Sequence, residues 1–166
     1  MQCRLSFSLL AFLCITPVYA DVSMPKIFAD NMVLQRHEPI KIWGWAKPFE
    51  KISVSLGSEI KQTTADNSGH WSIILPAQLA NSSTQLTIKG LNTLSFDNVA
   101  IGEVWLASGQ SNMQHQMAKI KAMFPAKMTL EDYPDIRQFK VENDYNYKRE
   151  QQEFTNANWQ LTNKST

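Results

Sequence analysis

Apolar and polar residues alternate with period two over three stretches of the chain. Ile40 and Ile42 flank Lys41, Ile52, Val54 and Leu56 interleave with Lys51, Ser53 and Ser55, and Leu86 and Ile88 alternate with Gln85, Thr87 and Lys89. Successive side chains on a strand point to opposite faces, so this pattern predicts half-buried strands with one face on a core. Turn-forming clusters separate them at Ala46-Lys47-Pro48, Gly57-Ser58, Asp66-Asn67-Ser68-Gly69 and Asn81-Ser82-Ser83. Short strands punctuated in this way predict an antiparallel β-sandwich over residues 21–100, with Trp43, Trp45 and Trp71 in its core or on its rim.

The pattern changes between Ala100 and Glu103. Val104 to Ala107 is a continuous apolar run, as expected of a strand covered on both faces, and Met113, Met117 and Ile120 then recur at helical spacing. A fully apolar strand followed by a helix predicts entry into an α/β layer, which assigns residues 101–166 to a second unit. Beyond Met123 the pattern supports one more strand, Ile136 to Val141, and a long exposed loop from Asn143 to Gln152. Ser111 falls at the strand-to-helix junction. A hydroxyl there lies beside backbone N–H groups that lack intrahelical partners and could hold a developing oxyanion. On position alone, an ordinary helix cap is the preferred reading of a serine at this point.

The first twenty residues read differently from the rest. Arg4 supplies a positive start, Leu5 to Ile15 is apolar, and Val18-Tyr19-Ala20 ends in a small residue before Asp21. This order predicts a secretory signal over residues 1–20, cleaved after Ala20, and a secreted or periplasmic mature protein. Its apolar core is shorter than the ~20 residues of a membrane span, and no later segment is long enough to serve as a transmembrane segment. Phe12 and Leu13 are bulkier than the residues that precede a lipidated cysteine, which argues against a lipid anchor at Cys14. Both cysteines, Cys3 and Cys14, fall inside the signal, so the mature chain is expected to hold neither a thiol nor a disulfide.

Sixteen basic residues stand against fifteen acidic ones over the whole chain. The balance leaves no basic stripe, and nucleic acid is excluded as an expected partner. No metal site is expected either, since paired histidines, Asp-x-Asp loops and cysteine clusters are missing, and neither a phosphate-cradling glycine loop nor any other cofactor motif occurs.

The block Gly102-Glu103-Val104-Trp105-Leu106-Ala107-Ser108-Gly109-Gln110-Ser111-Asn112-Met113 resembles the sialate O-acetylesterase family, an SGNH-type group of carbohydrate esterases. The resemblance extends to Ile27-Phe28-Ala29-Asp30-Asn31-Met32-Val33-Leu34-Gln35-Arg36, Trp43-Gly44-Trp45-Ala46, Gly69-His70-Trp71 and Val99-Ala100-Ile101, with a fainter echo at Tyr133-Pro134-Asp135-Ile136-Arg137. It implies a mixed fold: an N-terminal antiparallel β-sandwich followed by the beginning of an α/β SGNH-hydrolase domain, flavodoxin-like and three-layered. About 146 residues after the signal are too few for both units at ~100–200 residues per domain, so a truncated, N-terminal portion is expected.

The resemblance also implies chemistry. Ser111 would be the catalytic nucleophile and backbone oxyanion donor, forming an acetyl-enzyme while it deacetylates an O-acetylated sugar or sialic acid. In the family, the base and its orienting aspartate come from an Asp-x-x-His block. None of His37, His70 and His115 has an aspartate three residues earlier, so the catalytic Asp and His are expected outside this chain. Met113 stands where the second glycine of a Gly-x-Ser-x-Gly elbow would fall, which separates the block from α/β-hydrolases. Gln110 and Asn112 are assigned to turn shaping or substrate contact. Glu103 is expected to be a hydrogen-bonding residue at the boundary, Arg137 a surface arginine, and His115 a structural or substrate-edge residue. Two other readings remain at this point: a non-catalytic β-sandwich sugar-binding or interaction module, and a fragment without stable function.

Overall fold

A computed structural model describes residues 21–115, 117–125, 132–151 and 153–162. The signal with Cys3 and Cys14 lies outside these residues.

The described residues form nine strands. Strands β1 (Val33–Gln35), β2 (Ile40–Trp45), β3 (Lys51–Leu56), β4 (Glu59–Thr64), β5 (His70–Leu75), β6 (Asn81–Lys89) and β7 (Thr93–Gly102) come first. A 3-10 turn at Ser111–Gln114 and one short helix, α1 (Met117–Met123), follow, before β8 (Tyr133–Val141) and β9 (Ala157–Thr162). The first seven strands form a five-stranded sheet in the order β1-β7-β6-β3-β4 and a pair, β2-β5. Strands β8 and β9 pair with each other as an antiparallel hairpin.

Alternation in the sequence becomes alternation in burial. Ile40 and Ile42 of β2, Ile52, Val54 and Leu56 of β3, and Leu86 and Ile88 of β6 are all buried, while Lys41, Lys51 and Lys89 face solvent. Strand β5 repeats the device with Trp71, Ile73 and Leu75 inward. Both sheets feed one continuous apolar cluster, which Val22, Phe28 and Met32 complete from the segment ahead of β1. Of the three tryptophans, Trp71 is in the core; Trp43, on the rim, makes an edge-on contact with Phe28 at 4.7 Å. Gly69 closes the turn before β5 with φ of +84°, and a Cβ there would lie 2.5 Å from the carbonyl oxygen of Ala46, so this position requires glycine.

In the main sheet and at its exit, two features depart from the sequence reading. The five-stranded sheet is mixed rather than purely antiparallel, because β1 runs parallel to β7, with Val33 opposite Ala100 and Gln35 opposite Gly102. The run Val104 to Ala107 is not a strand. Ladder pairing of β7 stops at Gly102, where its neighbour β1 ends, and no other described strand takes up the backbone beyond that point. An apolar strand covered on both faces needs partners on both edges. Without them, Trp105 is 85% and Leu106 96% exposed.

The hairpin β8-β9 docks through polar contacts that composition alone does not reveal. Arg137 of β8 donates to the carbonyl oxygens of Asn98, Met32 and Ser82, the last at 2.7 Å, and to Asn98 Oδ1 at 3.1 Å. Asn98 Nδ2 in turn donates to Asn31 Oδ1 at 2.7 Å. The expected surface arginine is therefore a half-buried clasp, and burial lowers its pKa from the usual guanidinium value. Trp159 of β9 adds a bond from Nε1 to the Ile27 carbonyl at 2.7 Å and packs near Phe139, which also meets Phe154.

Candidate active site

The serine turn is built on the end of β7. Gln35 and Arg36, which finish the neighbouring strand, hold the chain as it leaves the sheet. The Arg36 N–H donates to the Gly102 carbonyl at 2.9 Å, Arg36 Nε pairs with Glu103 Oε1 at 2.6 Å, and Gln35 Nε2 donates to Glu103 Oε2 at 3.2 Å. Gln35 Oε1 accepts the Val104 N–H at 2.9 Å, so the amide side chain substitutes for the missing sheet neighbour. Glu103 thus takes the boundary hydrogen-bonding part expected of it. Its bonds to Arg36 and then Gln35 hold its carboxyl below the usual carboxylate range.

A depressed folded pKa means that the stabilisation is present above the ordinary carboxylate pKa and is lost as pH falls through the folded value. In an NMR titration of the Glu103 carboxyl carbon, Arg36→Gln should raise the midpoint. Equal midpoints in the two proteins would remove the pair from this account.

Beyond Ala107 the chain makes one tight turn. Gln110 is its N-cap in an extended conformation, and its carbonyl accepts the Met113 N–H at 2.9 Å; the Asn112 carbonyl accepts the His115 N–H at 3.3 Å. In a turn of this type the first N–H groups have no intrahelical acceptor. The N–H groups of Ser111 and Asn112 therefore have no acceptor among the described residues and can bind an incoming oxygen. A Cβ on Gly109 would stand 2.7 Å from Met113 Cγ, so the approach to the turn depends on a glycine there.

Ser111 is the first residue of the turn and is exposed. It is not the cap, and its hydroxyl has no hydrogen-bond partner among the described residues. The side chains of Gln110 and Asn112 likewise bond to none of these residues; the turn is shaped by their backbone carbonyls. His115 follows the end of the 3-10 turn with φ of −73° and ψ of 114°, which takes it off any helix face it could have shared with Ser111. No described side chain bonds to the serine as a base.

A second serine and histidine do meet, in a place the sequence reading treated as a plain turn. Ser68 Oγ lies 2.8 Å from His70 Nδ1 and 2.7 Å from Asp66 Oδ1, which also accepts the N–H groups of Ser68 and His70. Asp66 bonds the hydroxyl and not the imidazole, the reverse of the order a proton relay needs. These contacts close the Asp66-Asn67-Ser68-Gly69 turn and hold the Asp66 carboxyl below its usual value, the Ser68 hydroxyl contributing most. Among the described residues no group of three or more His, Cys, Asp or Glu could hold a metal ion, and no helix is long and apolar enough to cross a membrane.

No protein-family model matches the chain. Individual proteins do. The chain is 34% identical over 130 residues to the sialate O-acetylesterase of Mus musculus, a match covering 69% of this chain and 24% of that protein. It is 36% identical over 104 residues to the human sialate O-acetylesterase, covering 55% and 20%. A crystal structure of a carbohydrate acetylesterase from Xanthomonas citri superposes with a TM-score of 0.77 at 32% identity, over 87% of this chain and 33% of that one. The chain belongs to the sialate O-acetylesterase-like carbohydrate esterases. It spans about a quarter of the length of the mouse enzyme.

Proposed function

We propose that this chain is part of an exported serine carbohydrate esterase that removes O-acetyl groups from sialic acid or a related sugar, with Ser111 as nucleophile. The observation that carries this reading is the turn at Ser111, an exposed serine followed by free backbone N–H groups, in a chain related to sialate O-acetylesterases. Ser111 Oγ attacks the acetyl carbonyl and passes its proton to a base. The tetrahedral oxyanion sits against the Ser111 N–H. The bond from the acetyl carbon to the sugar oxygen then breaks, that oxygen takes the proton, and water releases acetate from the acetyl-enzyme. In this reading residues 101–166 open the SGNH layer on a β-sandwich, and the base belongs to residues outside the chain.

General-base assistance contributes ~10²–10⁴ in rate, and a protonated serine with one N–H donor does not replace it. The test is expression of the full-length protein and of the 166-residue chain in a Gram-negative host. Acetate release from an O-acetylated sialic acid should appear in the periplasmic fraction of the former, in a protein whose mature N-terminus is Asp21. The 166-residue chain should be inactive. Turnover by the short chain that His115→Ala abolishes would make His115 a local base and overturn this division of labour. An intact Met1 on soluble cytoplasmic protein would overturn the export.

A further inference from the structure

The connection between β8 and β9 is polar and yet carries two fully presented aromatic rings. Tyr145 is 72% and Tyr147 92% exposed, their ring centroids are 6.3 Å apart, and their planes differ by 10°. An aromatic ring is a large apolar surface that a small protein ordinarily buries, and neither ring packs into the cluster that Phe139, Phe154 and Trp159 form nearby.

The loop that presents them is tied down at several points. The Glu142 N–H donates to the Asn156 carbonyl at 3.0 Å, and Thr155 Oγ1 to Asp144 Oδ2 at 2.5 Å. Asn146 Oδ1, lying between the two tyrosines, accepts the N–H groups of Lys148 at 3.0 Å and Arg149 at 3.3 Å. Asp144 and Asn146 line a cleft of about 400 Å³, whereas Tyr145 and Tyr147 do not. The side chains of Asp144 and Asn146 thus line the cleft, and both rings lie outside it. A pre-ordered pair of parallel rings can accept a ligand without a further ordering cost.

We propose that Tyr145 and Tyr147 form a glycan-binding platform, outside the serine turn, that takes the C–H face of a pyranose ring. A pyranose presents axial C–H groups on one face and hydroxyls around its edge. The outer face of the stacked aromatic pair matches the first, and the phenol hydroxyls with Lys148 supply donors for the second. The platform would hold a sugar of the same glycan whose acetyl ester reaches Ser111, and in that respect it rests on the esterase reading.

Saturation-transfer NMR with lactose and, separately, sialyllactose tests the platform on the full-length protein. Sugar C–H protons should receive saturation from the wild type and from the Tyr145→Phe/Tyr147→Phe pair. The Tyr145→Ala/Tyr147→Ala pair should bind about tenfold more weakly. Saturation of lactose identifies a neutral pyranose as sufficient, and saturation of sialyllactose alone identifies the acidic sugar; either supports the platform. No saturation with either sugar, or equal binding by a folded alanine pair, overturns it. Should the alanine pair fail to fold, Tyr147→Ala alone, at the more exposed ring, gives the same readout. Hydrolysis of 4-nitrophenyl acetate, which has no pyranose, should be unchanged in the alanine pair. Sugar binding in a protein without esterase activity would retain the platform and remove only the esterase reading.

Discussion

Ser111→Ala in the full-length protein should lower acetyl-ester turnover by roughly 10⁴- to 10⁶-fold, the scale seen when the nucleophile of a serine hydrolase is removed. The size follows from the role proposed for the side chain. As nucleophile it would form the covalent bond to the acetyl carbon, and no neighbouring described group can take its place: His115 sits beyond the turn, and Gln110 and Asn112 carry no nucleophile. The turn itself should survive, because it is held by the Gln110 and Asn112 carbonyls and not by the serine hydroxyl. Steady-state kinetics with an O-acetylated sialic acid, alongside thermal melts of both proteins, separates lost chemistry from lost fold. Undiminished turnover in a stable variant would end the assignment of the nucleophile.

Leu86→Ala should destabilise the protein by about 2–5 kcal/mol. Leu86 is 0% exposed on β6, the middle strand of the five-stranded sheet, opposite Leu56 of β3 and Phe96 of β7. Truncation there removes apolar contacts and leaves a void that two flanking strands keep from collapsing. Ile60→Ala is the matched control. Ile60 is 65% exposed on β4 at the edge of the same sheet, and its loss should stay within about 0.5 kcal/mol. Urea melts of the two variants read the difference. Equal midpoints would contradict the burial that distinguishes the two positions.

Several strands of the first hundred residues were legible because their signal is local. Each of Ile40, Ile52, Val54, Leu86 and Ile88 declares its face through its immediate neighbours, and each is buried as its alternation requires. Strand β4 was not legible, since Glu59 to Thr64 carries a single apolar residue, Ile60, and forms a strand through its pairing with β3. Strand β9 was missed for a related reason: its inward contacts come from Trp159 meeting Ile27 and Phe139, partners far away in the sequence. Arg137 illustrates the same limit. A lone arginine reads as a surface charge, and only the fold brings the carbonyls of Met32, Ser82 and Asn98 around it. At the serine turn, the position of Ser111 before a helical segment could be read from spacing. The strand expected ahead of it could not form, because continuous apolar composition states that a segment wants cover without naming what covers it.

The Arg36–Glu103 pair at the root of the serine turn also sets an order of events as the chain folds. Arg36 and Glu103 are 67 residues apart in sequence, and β1 finds its neighbour only when β7 has been made. Hairpins such as β3-β4 close over a two-residue turn and can form early, whereas a pairing of this span must first meet the entropy of a long loop. As the chain folds, Val33 to Arg36 would wait as an unpaired edge until β7 has formed. The root of the serine turn is then among the last parts to assemble, so slowing the pairing of β1 should delay the appearance of the turn without altering its final geometry.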